Sequence, residues 1–400
     1  GRETELAVGY VQSGKTMSFT TVTALARDNR YRMVIVIAGT SIPLLEQSRQ
    51  RLVRDLRLDS PTERRPWRHI ESPTVARNSH VAIQDILAEW NDPSVPVAEL
   101  KTVLITVMKH HSQLQDLINV LDRLNLNPGP TLVIDDEGDQ AGLNTLVRRG
   151  EQSTTYRRLL ALKDRLSHHS FLQYTATPQA SLLINIIDVL SPDFAEVLTP
   201  GTGYTGGSEF FSQQANLVRT IPANEIPTRN NPLNAPPASL LQAMRLFFMG
   251  VAAHIATNDP ERNRSMMVHP SHRTVGHRQY FLWVSRVREE WIRILALPDG
   301  HPDRTDLLNL FRNDYGDLFA TKPDLSAFDV LASCLPRALR RTNVQEINSV
   351  GGRPTPINWN DTEYWILVGG QAMDRGFTVQ GLTVTYMPRG VGVGNADTVQ

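Results

Sequence analysis

Gly9-Tyr10-Val11-Gln12-Ser13-Gly14-Lys15-Thr16 fits the pattern G-x-x-x-x-G-K-[ST] at every fixed position. Ahead of it, Leu6-Ala7-Val8 reads as a short buried strand. Behind it, residues 17–27 have helical spacing and contain neither Gly nor Pro. A strand, a glycine loop and a helix in that order turn successive backbone N–H groups toward a polyphosphate and add the positive end of the helix. In such a loop Lys15 reaches the β- and γ-phosphates and the Thr16 hydroxyl ligates Mg²⁺. Gly9, Gln12, Ser13, Gly14, Lys15 and Thr16 are therefore the expected nucleotide contacts, with ATP and Mg²⁺ as the expected ligands. A chance match in a glycine loop is the competing explanation, and the flanking strand and helix weigh against it.

Outward from the loop, apolar runs at 33–38, 102–107 and 131–134 and a shorter one at 171–174 suit strands buried on both faces. Helical stretches at 43–56, 76–90, 113–124 and 156–166 separate them. Strands alternating with helices imply βαβ units and a doubly wound parallel sheet. Ligands of such sheets bind outside the carboxyl ends of the strands.

The run at 131–134 ends in Asp135-Asp136-Glu137-Gly138-Asp139. An apolar strand with a terminal acidic pair is the partner a phosphate loop needs. Asp136 is expected to orient Mg²⁺, and Glu137 to polarise the water that attacks the γ-phosphate. An Asp-rich solvated turn is the alternative; an EF-hand loop lacks its flanking helices and terminal Glu. The run at 171–174 ends in Thr175-Ala176-Thr177-Pro178, where Thr175 and Thr177 suit a coupling role between γ-phosphate and a neighbouring domain.

Composition bounds these expectations. A chain of 400 residues, 40% hydrophobic and 20% charged, is an ordinary globular sequence of about two to three domains. No apolar run approaches the roughly 18 residues of a membrane span, and the N-terminus has no signal-peptide core. No membrane association is expected, and cytoplasmic residence is the default. The missing initiator Met suits an excised or processed piece. The single Cys334 excludes an internal disulfide framework and a Cys-based zinc site, and its apolar helical setting suits a core position. Net charge is zero, so no global field draws the chain to nucleic acid.

A local patch is a different matter. Residues 49–68 hold seven arginines with Trp67 among them, and Arg49, Arg64, Arg65 and Arg68 are the nucleic-acid candidates. Asp55, Asp59 and Glu63 are interspersed, so a solvated helix face fits equally well. His110-His111 and His168-His169 lack metal-site spacing. Glu99-Leu100-Lys101 with Asp92 only loosely approximates a nuclease motif and leads into a strand the nucleotide sheet already needs.

Between 199 and 238 six prolines and four glycines punctuate a polar stretch, which reads as a linker or surface excursion. A first domain at 1–198 and a second at 239–400 follow. In the second, Ser239 is the expected N-cap of a helix over 240–256. Strands are expected at 265–270, 346–349, 364–368 and 382–386, and a helix at 277–297. Gly369-Gly370 and Asp374-Arg375-Gly376-Phe377-Thr378 fall between the last two strands.

A glycine loop ending in Gly-Lys-Thr, a D-E-x-D strand end and a Thr-Ala-Thr strand end occur in this order in superfamily 2 helicases and translocases. The wording Val-Gln-Ser-Gly-Lys-Thr, Ile-Asp-Asp-Glu-Gly-Asp-Gln and Tyr-Thr-Ala-Thr-Pro resembles the bacterial Z-one domain family, often labelled endonucleases and found beside restriction and phage-defence genes. The resemblance implies two RecA-like domains. It puts Asp374, Arg375 and Gly376 in a motif V loop that faces nucleotide and nucleic acid. It also puts an arginine-bearing motif VI just past Gln400, so the second domain is expected to be C-terminally incomplete and ATP hydrolysis by this piece to be slow. The implied function is an ATP-dependent nucleic-acid translocase or helicase-like motor ATPase, with DNA favoured over RNA and with partner subunits from a defence operon. A nuclease-associated subunit, an ATP-gated binding or scaffold switch without translocation, and a small-substrate kinase are the competing classes.

Overall fold

The computed structural model describes residues 2–11, 13–40, 42–60, 66–126, 129–139, 153–178, 190–213, 217–228, 230–258, 263–270, 274–347, 357–370 and 379–388. The chain divides into two compact units, Gly1–Gly206 and Gly207–Gln400. Both are α/β, each built on a parallel sheet.

In the first unit the elements run β1 (Arg2–Val8), α1 (Lys15–Asp28), β2 (Met33–Ile37), α2 (Ile42–Asp55), β3 (Trp67–Glu71), α3 (Ser79–Glu89), β4 (Thr102–Val107), α4 (His111–Leu121), β5 (Thr131–Asp136), α5 (Thr154–Arg165), β6 (His169–Thr175) and β7 (Phe194–Val197). The sheet order is β3-β4-β2-β5-β6-β1-β7, with every pairing parallel. The chain first travels from β1 out to β3, then returns through β4, β5 and β6. Because parallel crossovers are right-handed, reversing direction moves the connecting helices to the other face. Accordingly α1 and α2 pack on one side, with Phe19 and Leu52 against Val34, Val36 and Ile134. On the other side α3, α4 and α5 pack against Met33, Ile35, Ile105 and Val133. Alternate residues of each central strand thus enter different cores, which is why these strands read as unbroken apolar runs. Burying each such side chain contributes about 1.5–3 kcal/mol, so a charge at Ile35, which has no exposed surface, would break the sheet at its centre.

Two strands lie outside the sequence expectations, and both are edges. β3 sits within the arginine-rich stretch and pairs only with β4. β7 pairs only with β1, and its four residues are all exposed. A strand held on one side needs no apolar run, so neither carries one.

The second unit runs α6 (Ala238–Thr257), β8 (Arg264–Val268), α7 (Thr274–Leu295), α8 (Pro302–Thr321), α9 (Phe328–Arg341), β9 (Thr342–Ile347), β10 (Tyr364–Gly369) and β11 (Leu382–Tyr386), with sheet order β11-β8-β10-β9. All four helices share one core with Met266, Val268, Ile366 and Val368. A smaller cluster around Trp365 and Leu367 lies on the opposite face. The expected Ser239 cap is not formed. Pro237 occupies the N-cap position, the Glu225 carboxylate accepts from the Ser239 N–H at 2.8 Å, and the Ser239 hydroxyl instead meets Tyr386 Oη at 2.8 Å. Contrary to the sequence expectation, α6 is long and apolar enough to cross a membrane. Here it is the central core helix, with Leu240, Met244, Phe247, Phe248 and Val251 buried and Arg245 ion-paired to Asp314 of α8.

Candidate functional site

The register of the first sheet brings three strand ends to one rim. Val8 lies beside Thr175, and Asp136 lies beside Tyr174. Beyond Val8 the chain leaves the sheet, with the Gly9 N–H donating to Thr175 O at 2.9 Å. It re-enters regular structure at Gly14, the N-cap of α1, whose φ of 99° lies in the left-handed region that favours glycine. The N-terminus of α1 has no side-chain cap and no acidic residue in its first turn, so its N–H groups and positive dipole are uncompensated from within the helix. Gly9 is needed for a different reason: a Cβ there would come within 2.6 Å of Lys15 Cγ. Lys15 lies across Gly9, and its ammonium reaches back to Tyr10 O at 3.4 Å.

Packing fixes this loop from beneath and from the side. Phe19 of α1 is fully buried and stands edge-on to Tyr174 at 5.7 Å, and the Ser18 hydroxyl bonds Tyr174 Oη at 3.0 Å. Tyr204, from the stretch read as a linker, donates its hydroxyl to Val11 O at 2.6 Å and places its ring 6.0 Å from that of Tyr10. Arg51 of α2 donates to the Thr16 hydroxyl at 2.9 Å.

The acidic end of β5 is built around a lysine that the sequence reading passed over. Lys109 follows β4 and is wholly buried. Its ammonium pairs with Asp135 at 2.5 Å and donates to Glu137 O at 2.7 Å. Burial raises the Asp135 carboxyl against the opposing pull of Lys109. Asp136, half-buried at the strand's end, is also raised by burial, with Lys109 and Lys15 pulling it back. The first two acidic residues thus differ in role: Asp135 is a structural ion pair, and Asp136 is the carboxylate that Lys15 feels. Glu137 adopts φ 57°, a left-handed conformation uncommon for a non-glycine residue and of the kind that clusters at functional turns. Next, the Gly138 N–H donates to Tyr174 O at 2.7 Å. Asp139 then accepts from the Thr175 hydroxyl at 2.7 Å and from the Thr177 hydroxyl at 2.5 Å. The acidic turn and the Thr-Ala-Thr strand end are thereby one hydrogen-bonded unit.

The structure therefore brings together Gly9, Ser13, Gly14, Lys15, Thr16, Asp136, Glu137, Thr175 and Thr177 at one end of the sheet. Gln12, Asp374, Arg375, Gly376, Arg64 and Arg65 lie outside the described residues. Arg49 is engaged by Glu46 at 2.5 Å and by Glu71 at 3.1 Å, and these carboxylates push its guanidinium pKa up. Arg54 pairs with Asp55 at 2.7 Å. With Arg57 they line an open groove of about 610 Å³, while Arg68 is exposed on β3.

These residues fit a magnesium nucleotide. Thr16 offers a hydroxyl and Asp136 a carboxylate, and Mg²⁺ is usually held by one or two such groups together with substrate phosphates. Gly9 and Gly14 keep the backbone clear where phosphates would lie. Among the described residues no cluster of three or more His, Cys, Asp or Glu side chains offers an all-protein metal site.

Among the solved structures that this chain resembles, three illustrate how loose the likeness is. The Pyrococcus furiosus Hef helicase domain is 13% identical, with 98% of this chain and 87% of that chain covered and a TM-score of 0.37. The Aeropyrum pernix ORC1 protein in complex with DNA is 15% identical, with 81% of each covered and a TM-score of 0.23. The Aeropyrum pernix ORC2 protein is 12% identical, with 82% of this chain and 94% of that chain covered and a TM-score of 0.21. No curated protein matches by sequence. A family model, described as Z1 domain, matches residues 239–400, the part of the chain that holds Gly369, Gly370, Asp374, Arg375 and Gly376. Over residues 239–400, then, this chain is similar to the Z1 domain family.

Proposed function

We propose that the chain is an ATP-dependent nucleic-acid motor of translocase or helicase type, acting as a subunit of a bacterial restriction or phage-defence system. The observation that carries the nucleotide part is the convergence of Lys15, folded over a Cβ-free Gly9, with the half-buried Asp136 at the end of β5. The motor part rests on the Asp139 bridge. Thr175 and Thr177 are bonded to the turn that holds Glu137, so a change at that turn is transmitted to the end of β6.

In this proposal the α1 N–H groups and Lys15 bind the phosphates, Thr16 and Asp136 hold the metal, and Glu137 takes a proton from the attacking water. Bound Mg²⁺ would supply charge neutralisation on the phosphates. The nucleic-acid surface would include Arg68 and the groove of α2, with the charges of Arg49 and Arg54 already partly met by carboxylates. The defence setting follows from the Z-one resemblance. ATPase rates measured with and without single- and double-stranded DNA and RNA, at two salt concentrations, test the motor. We expect stimulation by nucleic acid, DNA above RNA, weakening at the higher salt. One rate under all conditions would remove the motor and leave a nucleotide-dependent switch.

A further inference from the structure

Thr16 and Asp136 are the two groups expected to hold a divalent cation, and a cation of the protein's own already reaches the first of them. Arg51 extends from α2, and its terminal nitrogen donates to the Thr16 hydroxyl at 2.9 Å. The guanidinium is half-buried, and burial lowers its pKa, with Arg54 adding to the effect and Asp136 opposing it. Asp136 is therefore within electrostatic reach. A half-buried guanidinium needs such compensation, because desolvating a charge is expensive unless an opposite charge or hydrogen bonds replace the water. Its neighbours on the same helix do not compete for the position: Arg49 is held by Glu46 and Glu71, and Arg54 by Asp55.

A metal ion bound by the Thr16 oxygen would sit a few ångströms from this guanidinium, and two positive charges at that distance repel strongly in a partly buried site. Both cannot use the hydroxyl in the same way. We propose that Arg51 is a built-in counter-cation of the phosphate loop: it occupies the metal's place in the nucleotide-free chain, neutralises Asp136, and is displaced when Mg²⁺ enters with nucleotide. When nucleotide enters without the metal, the same guanidinium stays in place and neutralises the phosphates. Arg51 is then a positioning residue, and its presence makes nucleotide binding less dependent on magnesium than in a phosphate loop that lacks it.

This rests on the nucleotide assignment above, and a binding experiment separates the two. The dissociation constant of a fluorescent ADP analogue is measured with Mg²⁺ and with EDTA for the parent chain, Arg51→Gln and Arg51→Lys, and the ratio of the two constants is compared. Losing one charge-assisted hydrogen-bonding partner should raise the EDTA-to-Mg²⁺ ratio about tenfold or more in Arg51→Gln, because metal-free binding weakens while the metal enters unopposed. Arg51→Lys keeps the charge and should stay near the parent ratio. It also guards against a fold defect, since the side chain's stem is retained. Equal ratios in the parent and Arg51→Gln, with both binding ADP, would overturn the counter-cation role and leave the nucleotide site standing. A ratio raised equally in Arg51→Lys would likewise overturn a role based on charge. A parent chain that binds ADP neither with Mg²⁺ nor with EDTA would overturn both.

Discussion

Lys109→Met is expected to be the most destabilising single substitution at the rim of the first sheet. The ammonium is fully buried and sits between the equally buried Asp135 and Glu137 O. Removing it leaves Asp135 without its ion pair, and breaking a buried pair from one side costs about 3–5 kcal/mol. For a unit of this size that corresponds to a loss of about 10 °C or more in Tm, read by thermal unfolding. The double variant Lys109→Met/Asp135→Leu should recover much of the stability, because replacing both partners by apolar groups is often neutral. It should not recover ATP turnover, since Glu137 O still lacks the donor that helps hold its turn. A Tm for Lys109→Met equal to that of the parent would mean that this pair is not what stabilises the acidic turn.

Glu137→Gln is expected to act on rate rather than on stability. The amide keeps the shape of the side chain but cannot take up a proton, and losing a general base typically lowers the rate about 10²–10⁴-fold. Nucleotide affinity should be retained, because the proposed phosphate contacts lie on the α1 side of the site, at Gly9 to Thr16. The two effects are separated by measuring single-turnover hydrolysis and equilibrium binding on the same preparation. A variant that remains folded but no longer binds nucleotide would make Glu137 a structural residue, its left-handed turn doing the holding rather than its carboxylate doing chemistry.

Legibility in the sequence divides along the range of the contacts. β2, β4 and β5 can be read directly, because strands buried on both faces must be apolar throughout. The phosphate loop and the acidic pair are likewise local, their residue types and spacing imposed by a few adjacent backbone conformations. β3 and β7 are held from one side only, and α8 and α9 lie in a stretch whose apolar residues matter only once α6 and α7 are in place. The partners that complete the candidate site are all distant in sequence. Lys109 meets Glu137 across 28 positions, Arg51 meets Thr16 across 35, and Asp139 meets Thr175 across 36. Tyr204 meets Val11 across 193. Each is fixed by how distant elements are packed together, which no single stretch encodes. Lys109 left one faint mark, as one of only five lysines in the chain and one placed directly after a buried strand.

The basic stretch shows the opposite effect. Its charge is conspicuous in the sequence, yet Arg49, Arg51 and Arg54 are each engaged by a nearby side chain in the fold. A count of arginines overstates the charge available to a ligand, because an engaged guanidinium must first leave its partner.

Isothermal titration of the parent chain and of Lys15→Ala with ATP and Mg²⁺ tests the central claim most directly. Among the described residues Lys15 makes one long hydrogen bond, 3.4 Å to Tyr10 O, so its truncation should leave the far-ultraviolet circular dichroism and Tm nearly unchanged. The parent should bind with one site per chain, and the variant should lose about tenfold or more in affinity together with hydrolysis, the loss expected for a charged partner of the phosphates. Equal affinity and equal hydrolysis in the two folded proteins, or no binding by either, would contradict the assignment of Gly9 to Thr16 as a nucleotide site.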